Sequence, residues 1–181
     1  MIDASRHFLP LKTMKRQVDA LAMSKSNVLH VHVIDSQSSA YAPTDAPAAE
    51  FAKACYENGE TYKLVQTQLA ELSVYANSLG IHLLLEFDMP GHAASWQKLS
   101  RDVVANCPTY GNSTVDPTAN ATYEYIEAFI KEIIATIYVP LGKEALIHLG
   151  GDEVDHGCWT EDANIAAYMK QNNLTTKTLW Q

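Results

Sequence analysis

The sequence lacks most of the features that settle a protein's class at once. Among its 181 residues only three are cysteine: Cys55, Cys107 and Cys158. A set so sparse and odd builds no disulfide framework on its own, and no pair has the CxxC spacing of a zinc site. No stretch nears the roughly 18 consecutive apolar residues of a membrane helix, so no membrane span is expected. Positive charge is scarce too, with 13 Lys+Arg against 21 Asp+Glu and a formal net charge of −8. A general nucleic-acid binder shows the opposite balance, which excludes a nucleic-acid partner. No basic, apolar leader opens the chain, so no signal peptide is visible. Repeats, low-complexity segments and linkers are also missing, which leaves one domain over residues 1–181, long enough to bury a core.

What is present is an alternation of apolar runs and amphipathic stretches. Met1–Asp3 reads as the tail of a strand, which implies sequence lost upstream. Pro10 then opens a helix in which Leu11, Met14, Val18, Leu21 and Ala22 recur at helical spacing. The β-branched run Asn27–Ile34 suits a strand covered on both faces, as in a parallel sheet, with His30 and His32 on one side of it. Residues 39–60 read as loop, with a helical turn over 48–55. A helix is expected over 62–78, ended by Gly80, then a strand over 81–87. A short helix over 94–99, a loop over 101–117 and a helix over 123–138 follow. Next come a strand running into Gly150 and Gly151, and a last helix over 162–171. Alternating strands and helices predict βαβ units, and the chemistry of such sheets sits at the strands' carboxyl ends. Arg6, Asp35, Asp88, His92, Asp152 and Glu153 all fall just after expected strands.

The chain is organised around Ala145–Glu153, an apolar run that breaks at two glycines and ends in two adjacent carboxylates. A bare Asp-Glu pair is ordinarily a solvated loop pair. Here it stands at a strand's mouth, and carboxylates that repel when both are ionised help one to stay protonated, as a proton donor must. Three sequons, at Asn112, Asn120 and Asn173, are candidate glycosylation sites and point to a secretory route.

His148-Leu149-Gly150-Gly151-Asp152-Glu153 resembles the strand-four motif of glycoside hydrolase family 20, the β-N-acetylhexosaminidases, and its flanks resemble the lysosomal and secreted eukaryotic members. The resemblance continues in order through Asp3–Phe8, the His30-x-His32-x-x-Asp35-x-Gln37 segment and the Asp88–His92 turn. It implies a (β/α)8 TIM-type barrel of which this chain would be the first half, about four βα units. It also implies hydrolysis of terminal N-acetyl-β-hexosamine residues with no cofactor. Glu153 would be the general acid, and Asp152 would orient the substrate's 2-acetamido group, whose carbonyl oxygen replaces a protein nucleophile. The same family is a known exception to the two-carboxylate scheme of glycoside hydrolysis. Asp35 and His92 would form a relay to Glu153. Arg6 would bind ring hydroxyls, and His148 would line the substrate pocket. Cys107 and Cys158 would be bonded, leaving Cys55 free, and the location would be lysosomal or secreted.

Other readings stay open on the residues alone. His92 also fits a turn histidine, Arg6 a surface arginine, and the cysteines three buried thiols. A metal-dependent hydrolase would use His30, His32 and His92, with His148 and Asp152 nearby. A non-catalytic carbohydrate-binding fragment would keep the fold without turnover. Val31 stands where the family usually has tryptophan, and Ser39 where it usually has an aromatic residue. Half a barrel would have open sheet edges, so weak activity and a homodimer are both expected.

Overall fold

The computed structural model describes residues 1–56, 62–99 and 102–180, the last without its side chain. Parts of the two expected loops, residues 57–60 and Arg101, lie outside the described residues.

Four parallel strands form the main sheet: β1 (Ile2–Asp3), β2 (Val28–Ile34), β5 (His82–Phe87) and β6 (Ile147–His148). They lie side by side in chain order. Helices α1 (Leu11–Met23), α2 (Gln66–Ser78) and α3 (Asn120–Ile133) make the crossovers, so the architecture is α/β. A second, two-stranded parallel sheet pairs β3 (Tyr41–Ala42) with β4 (Leu64–Val65) inside the β2–α2 connection.

Strand parity divides the sheet into two unlike faces. On one, Leu29, Val31 and Val33 of β2 and Leu83, Leu85 and Phe87 of β5 are buried. On the other, register aligns Asp3, His32, Glu86 and His148 as one row across all four strands. The apolar side is capped by an aromatic cluster. Phe87 stacks on Phe129 of α3 at 4.1 Å and on Trp96 at 5.3 Å, and Phe51 packs edge-on to all three rings. Phe51 comes from a 3-10 turn, Ala48–Ala54, where a helical turn over 48–55 was expected.

Glu132 of α3 is buried in this layer, yet it does structural work. It accepts the Tyr41 hydroxyl and the Thr44 and Asp45 backbone N–H groups, the latter two at 2.8 Å each. That ties the segment after β3 to the helix.

Several boundaries differ from expectation for local reasons. The helix expected from Tyr62 starts at Gln66, because Leu64 and Val65 are drawn into pairing with β3. The helix expected over 123–138 starts at Asn120 and ends in a π turn, Ile134–Tyr138. Pro140 follows in the next turn and has no N–H to continue the ladder. After β6 come three short helices: α4 (His156–Glu161), α5 (Ala163–Gln171) and α6 (Thr176–Trp180). Only α5 was legible in the sequence. Asp162 caps it by accepting the Asn164 and Ile165 N–H groups. No helix among the described residues is long and apolar enough to cross a membrane.

Candidate active site

The site lies at the carboxyl ends of the main sheet. It is built from the segment after β1, the ends of β2 and β5, and the turn after β6. A bulge in β2 makes it possible. Pairing with β5 runs in step up to His32–Glu86, then skips Val33 and resumes at Ile34–Phe87. In a regular strand His32 and Asp35, three apart, would point to opposite faces. The bulge changes that parity. His32 Nε2 consequently lies 2.7 Å from Asp35 Oδ2.

Asp35 is the hub. Its side chain is 1% exposed and meets three groups: His32, the Arg6 guanidinium (Nη2–Oδ2, 2.7 Å) and His92 (Nδ1–Oδ1, 3.3 Å). The Ser36 N–H donates to Oδ1 as well. Burial pushes the Asp35 carboxyl up, but the hydrogen bonds from His32 and Ser36 and the charges of His92 and Arg6 outweigh it and hold the carboxyl below its ordinary value. An ionised Asp35 only accepts, so His92 carries its proton on Nδ1. The opposite ring nitrogen, Nε2, faces Glu153 Oε2 at 3.4 Å, in ion-pair range but without hydrogen-bond alignment. The order Asp35–His92–Glu153 expected from the resemblance is thus the order found in space.

Glu153 differs from its partners in being open: its side chain is 79% exposed. Both it and His92 hold positive φ, +50° and +53°, a conformation that costs a non-glycine residue energy and clusters at functional sites. Two glycines make the turn fit. A Cβ on Gly150 would stand 1.7 Å from Asp88 Oδ1, and one on Gly91 would stand 3.1 Å from the Asp152 carbonyl oxygen. Asp88 accepts the Gly151 N–H at 3.0 Å, tying the end of β5 to the turn that presents Asp152 and Glu153. Burial raises the Asp88 carboxyl above its ordinary value.

Arg6 is held by Asp3 (3.0 Å) as well as Asp35, and it borders a cavity of about 300 Å³ walled by His7, Phe8, Tyr56 and Tyr62. His148 is half-exposed and accepts the Gly150 N–H on Nδ1 at 3.0 Å.

Cys107 and Cys158 are disulfide-bonded, and Cys55 is a free, buried thiol pushed up to about 11 by burial. The disulfide sits in a small second core with Ala105, Trp159, Ile165 and Met169, just beyond Glu153. Of the sequon asparagines, Asn120 and Asn173 are exposed, while Asn112 is half-buried with its side-chain oxygen accepting the Cys107 N–H.

Three groups among the described residues could hold a metal ion: His30–Glu86–His148, His32–Asp35–Asp88 and Asp88–His92–Asp152. None of them joins His30, His32 and His92, the set a metal-dependent hydrolase was expected to use. In the first two groups a ligand histidine is already committed. His148 Nδ1 accepts a backbone N–H, and both nitrogens of His32 face carboxylates. Glu86 is the site residue that sequence reasoning missed. Its signal was a lone carboxylate inside the apolar run 83–87, a rare thing in a buried strand.

The chain is similar to several known proteins. The chain is 39% identical to β-hexosaminidase subunit beta of Mus musculus over 176 residues, covering 94% of this chain and 31% of that protein. It is 36% identical to the Homo sapiens β subunit over 181 residues, covering 97% and 31%. The crystal structure of a chitobiase from Flavobacterium johnsoniae superposes with a TM-score of 0.81 at 28% identity, covering 99% of this chain and 27% of that one. The chain therefore spans about a third of the length of the relatives it matches. The family profile of the glycosyl hydrolase family 20 catalytic domain matches residues 1–181, and the chain belongs to that family.

Proposed function

We propose that this chain carries the acid side of a retaining β-N-acetylhexosaminidase site, within what would be the first half of an eight-stranded barrel. The observation that carries the reading is the line Asp35–His92–Glu153, with links of 3.3 and 3.4 Å, and Asp152 beside it. Glu153 gives its proton to the glycosidic oxygen as the bond from that oxygen to the anomeric carbon breaks. The acetamido carbonyl oxygen of the substrate forms the new bond to that carbon, closing an oxazolinium ring whose positive charge Asp152 stabilises. Water then attacks the same carbon from the leaving-group side, returns a proton to Glu153 and reopens the ring, so configuration is retained. Arg6, fixed by two carboxylates, keeps further N–H donors for ring hydroxyls.

Four strands with an exposed acid do not exclude water from the reacting carbon, so turnover by this chain alone is expected to be weak. Asn120 and Asn173, exposed in sequons, are the proposed glycosylation sites of a lysosomal or secreted protein.

The test is hydrolysis of a chromogenic N-acetyl-β-glucosaminide by the chain and by a version extended through the remaining strands, each beside its Glu153→Gln variant. Loss of about 10²–10⁴-fold in turnover is expected on removing the acid. Equal rates in the parent and the Glu153→Gln protein would overturn the assignment.

A further inference from the structure

The row Asp3–His32–Glu86–His148 lies directly beneath the site, and the mechanism above leaves Glu86 unused. Glu86 is buried, and its oxygens face three imidazoles, without hydrogen-bond alignment to His30. Oε1 is 3.1 Å from His32 Nδ1, and Oε2 is 2.5 Å from His30 Nε2 and 3.7 Å from His148 Nδ1. His32 stands between two carboxylates, since its other nitrogen is 2.7 Å from Asp35 Oδ2. A neutral imidazole has one N–H and one lone pair. In that form His32 would turn a lone pair toward a carboxylate oxygen at 2.7 or 3.1 Å, acceptor against acceptor. With Asp35 and Glu86 both ionised, the geometry is satisfied only when both nitrogens carry protons.

We propose that Glu86 is a positioning residue, which through a doubly protonated His32 anchors Asp35 by one oxygen and so leaves the other oxygen to His92. Asp35 Oδ2 is occupied by His32 and Arg6, both at 2.7 Å. Oδ1 is the oxygen that remains for His92 Nδ1. The polar file that ends in the acid is then five members long: Glu86, His32, Asp35, His92, Glu153. Its upper half rests on the function proposed above; its lower half stands on the geometry alone. The charge state agrees with it. Burial lowers His32, but the hydrogen bonds and charges of Asp35 and Glu86 outweigh it and raise His32 above its ordinary value.

The groups that face this file from neighbouring elements are Arg6 and Asp3 after and on β1, His30 on β2, Asp88 after β5 and His148 on β6. Among these only Arg6 is a fixed cation. When Glu86 loses its charge, His32 keeps a single anionic neighbour of the two that its nitrogens face. One ring proton then leaves at neutral pH, and Asp35 Oδ2 faces a neutral imidazole in place of a cation, with Arg6 and the Ser36 N–H still holding the carboxylate.

The experiment is side-chain ¹⁵N spectroscopy of the histidine-labelled chain, which reads the protonation of each ring nitrogen and needs no turnover. In the parent protein, His32 is expected to hold both protons at pH 7.5, and His92 to be fixed as the Nδ1–H form. Glu86→Gln is expected to move the His32 midpoint down toward the ordinary histidine value and to weaken the preference of His92 for the Nδ1–H form, seen as a minor Nε2–H tautomer. Glu86→Asp, which keeps the charge, is expected to retain the second proton on His32. A singly protonated His32 in the parent overturns the proposal, whether or not the Gln variant folds. An unchanged His32 in folded Glu86→Gln does the same. In a version with turnover, Glu86→Gln should add an ionisation to the pH profile of kcat and leave KM nearly unchanged, which a merely structural role would not do. Absence of turnover in the extended version, with the predicted His32 and His92 states, would count against the enzymatic reading and leave this inference standing.

Discussion

The centre of the sheet and its last strand solve the same problem differently. At the centre, β2 and β5 run seven and six residues, and their site residues, Asp35 and Glu86, are buried. Their positions are set by ladder hydrogen bonds and by the aromatic cluster behind them. At β6 only two residues pair, and Asp152 and Glu153 project from a turn into solvent. That turn is held by Asp88 from below and by the disulfide core from beyond. The difference teaches that the base of the relay is rigid because it belongs to the main core. The acid at its tip is placed by a satellite core, and local opening there is expected to need less free energy.

The sharpest way to break this comparison is to damage the main core. Phe51→Ala removes the ring that meets Phe87, Trp96, Tyr125 and Phe129. A loss of about 3–5 kcal/mol is expected in urea denaturation. The site should be lost together with the fold, because Phe87 ends the strand that carries Glu86. A change under about 1 kcal/mol would mean that the cluster packs loosely.

Next in size is Cys158→Ser. It opens a link between residues 51 apart, for which chain entropy predicts a loss of about 4 kcal/mol. Hydrogen exchange should accelerate over 150–165 while β2 and β5 keep their protection. Uniform acceleration would show that the two regions unfold as one unit.

The smallest effect is that of pH on stability. Asp35, with its carboxyl lowered, contributes fully above the ordinary carboxylate value of about 4, and that contribution is lost as pH falls through its folded value. His32, raised, contributes fully below the ordinary histidine value of about 6.5 and is lost as pH rises through its folded value. Asp88, raised by burial, has the reverse sign for a carboxyl and takes stability away as pH rises past its ordinary value. The thermal midpoint of the parent should therefore be highest in mild acid, within the window set by Asp35 and His32. Asp35→Asn should flatten the acid limb, and an unaltered limb would place the pH dependence outside this file.

Much of the framework was legible along the chain. Apolar runs at 27–34 and 81–87, with helical spacing between them, foretold a parallel sheet, and the carboxylates after those runs foretold where the site would lie. Leu64 and Val65 were misread as helix because their partner, β3, is more than 20 residues away and no local period records it. The short helices α4 and α6 were missed because neither is long enough to display a face.

The residues themselves determined the order of strands and helices and the fall of Asp35, His92, Asp152 and Glu153 just after strands, while the pairing of Cys107 with Cys158 was only what the resemblance implied. These depend on local periodicity and on motifs a few residues long. Only the tertiary structure decided which side of the sheet Asp35 would face, since that rests on one skipped pairing at Val33. It also decided that Glu86 would stand beside His32, since register between strands 54 residues apart is set by packing across the sheet. Periodicity tells a strand which of its own residues share a face; it does not tell that strand what lies opposite.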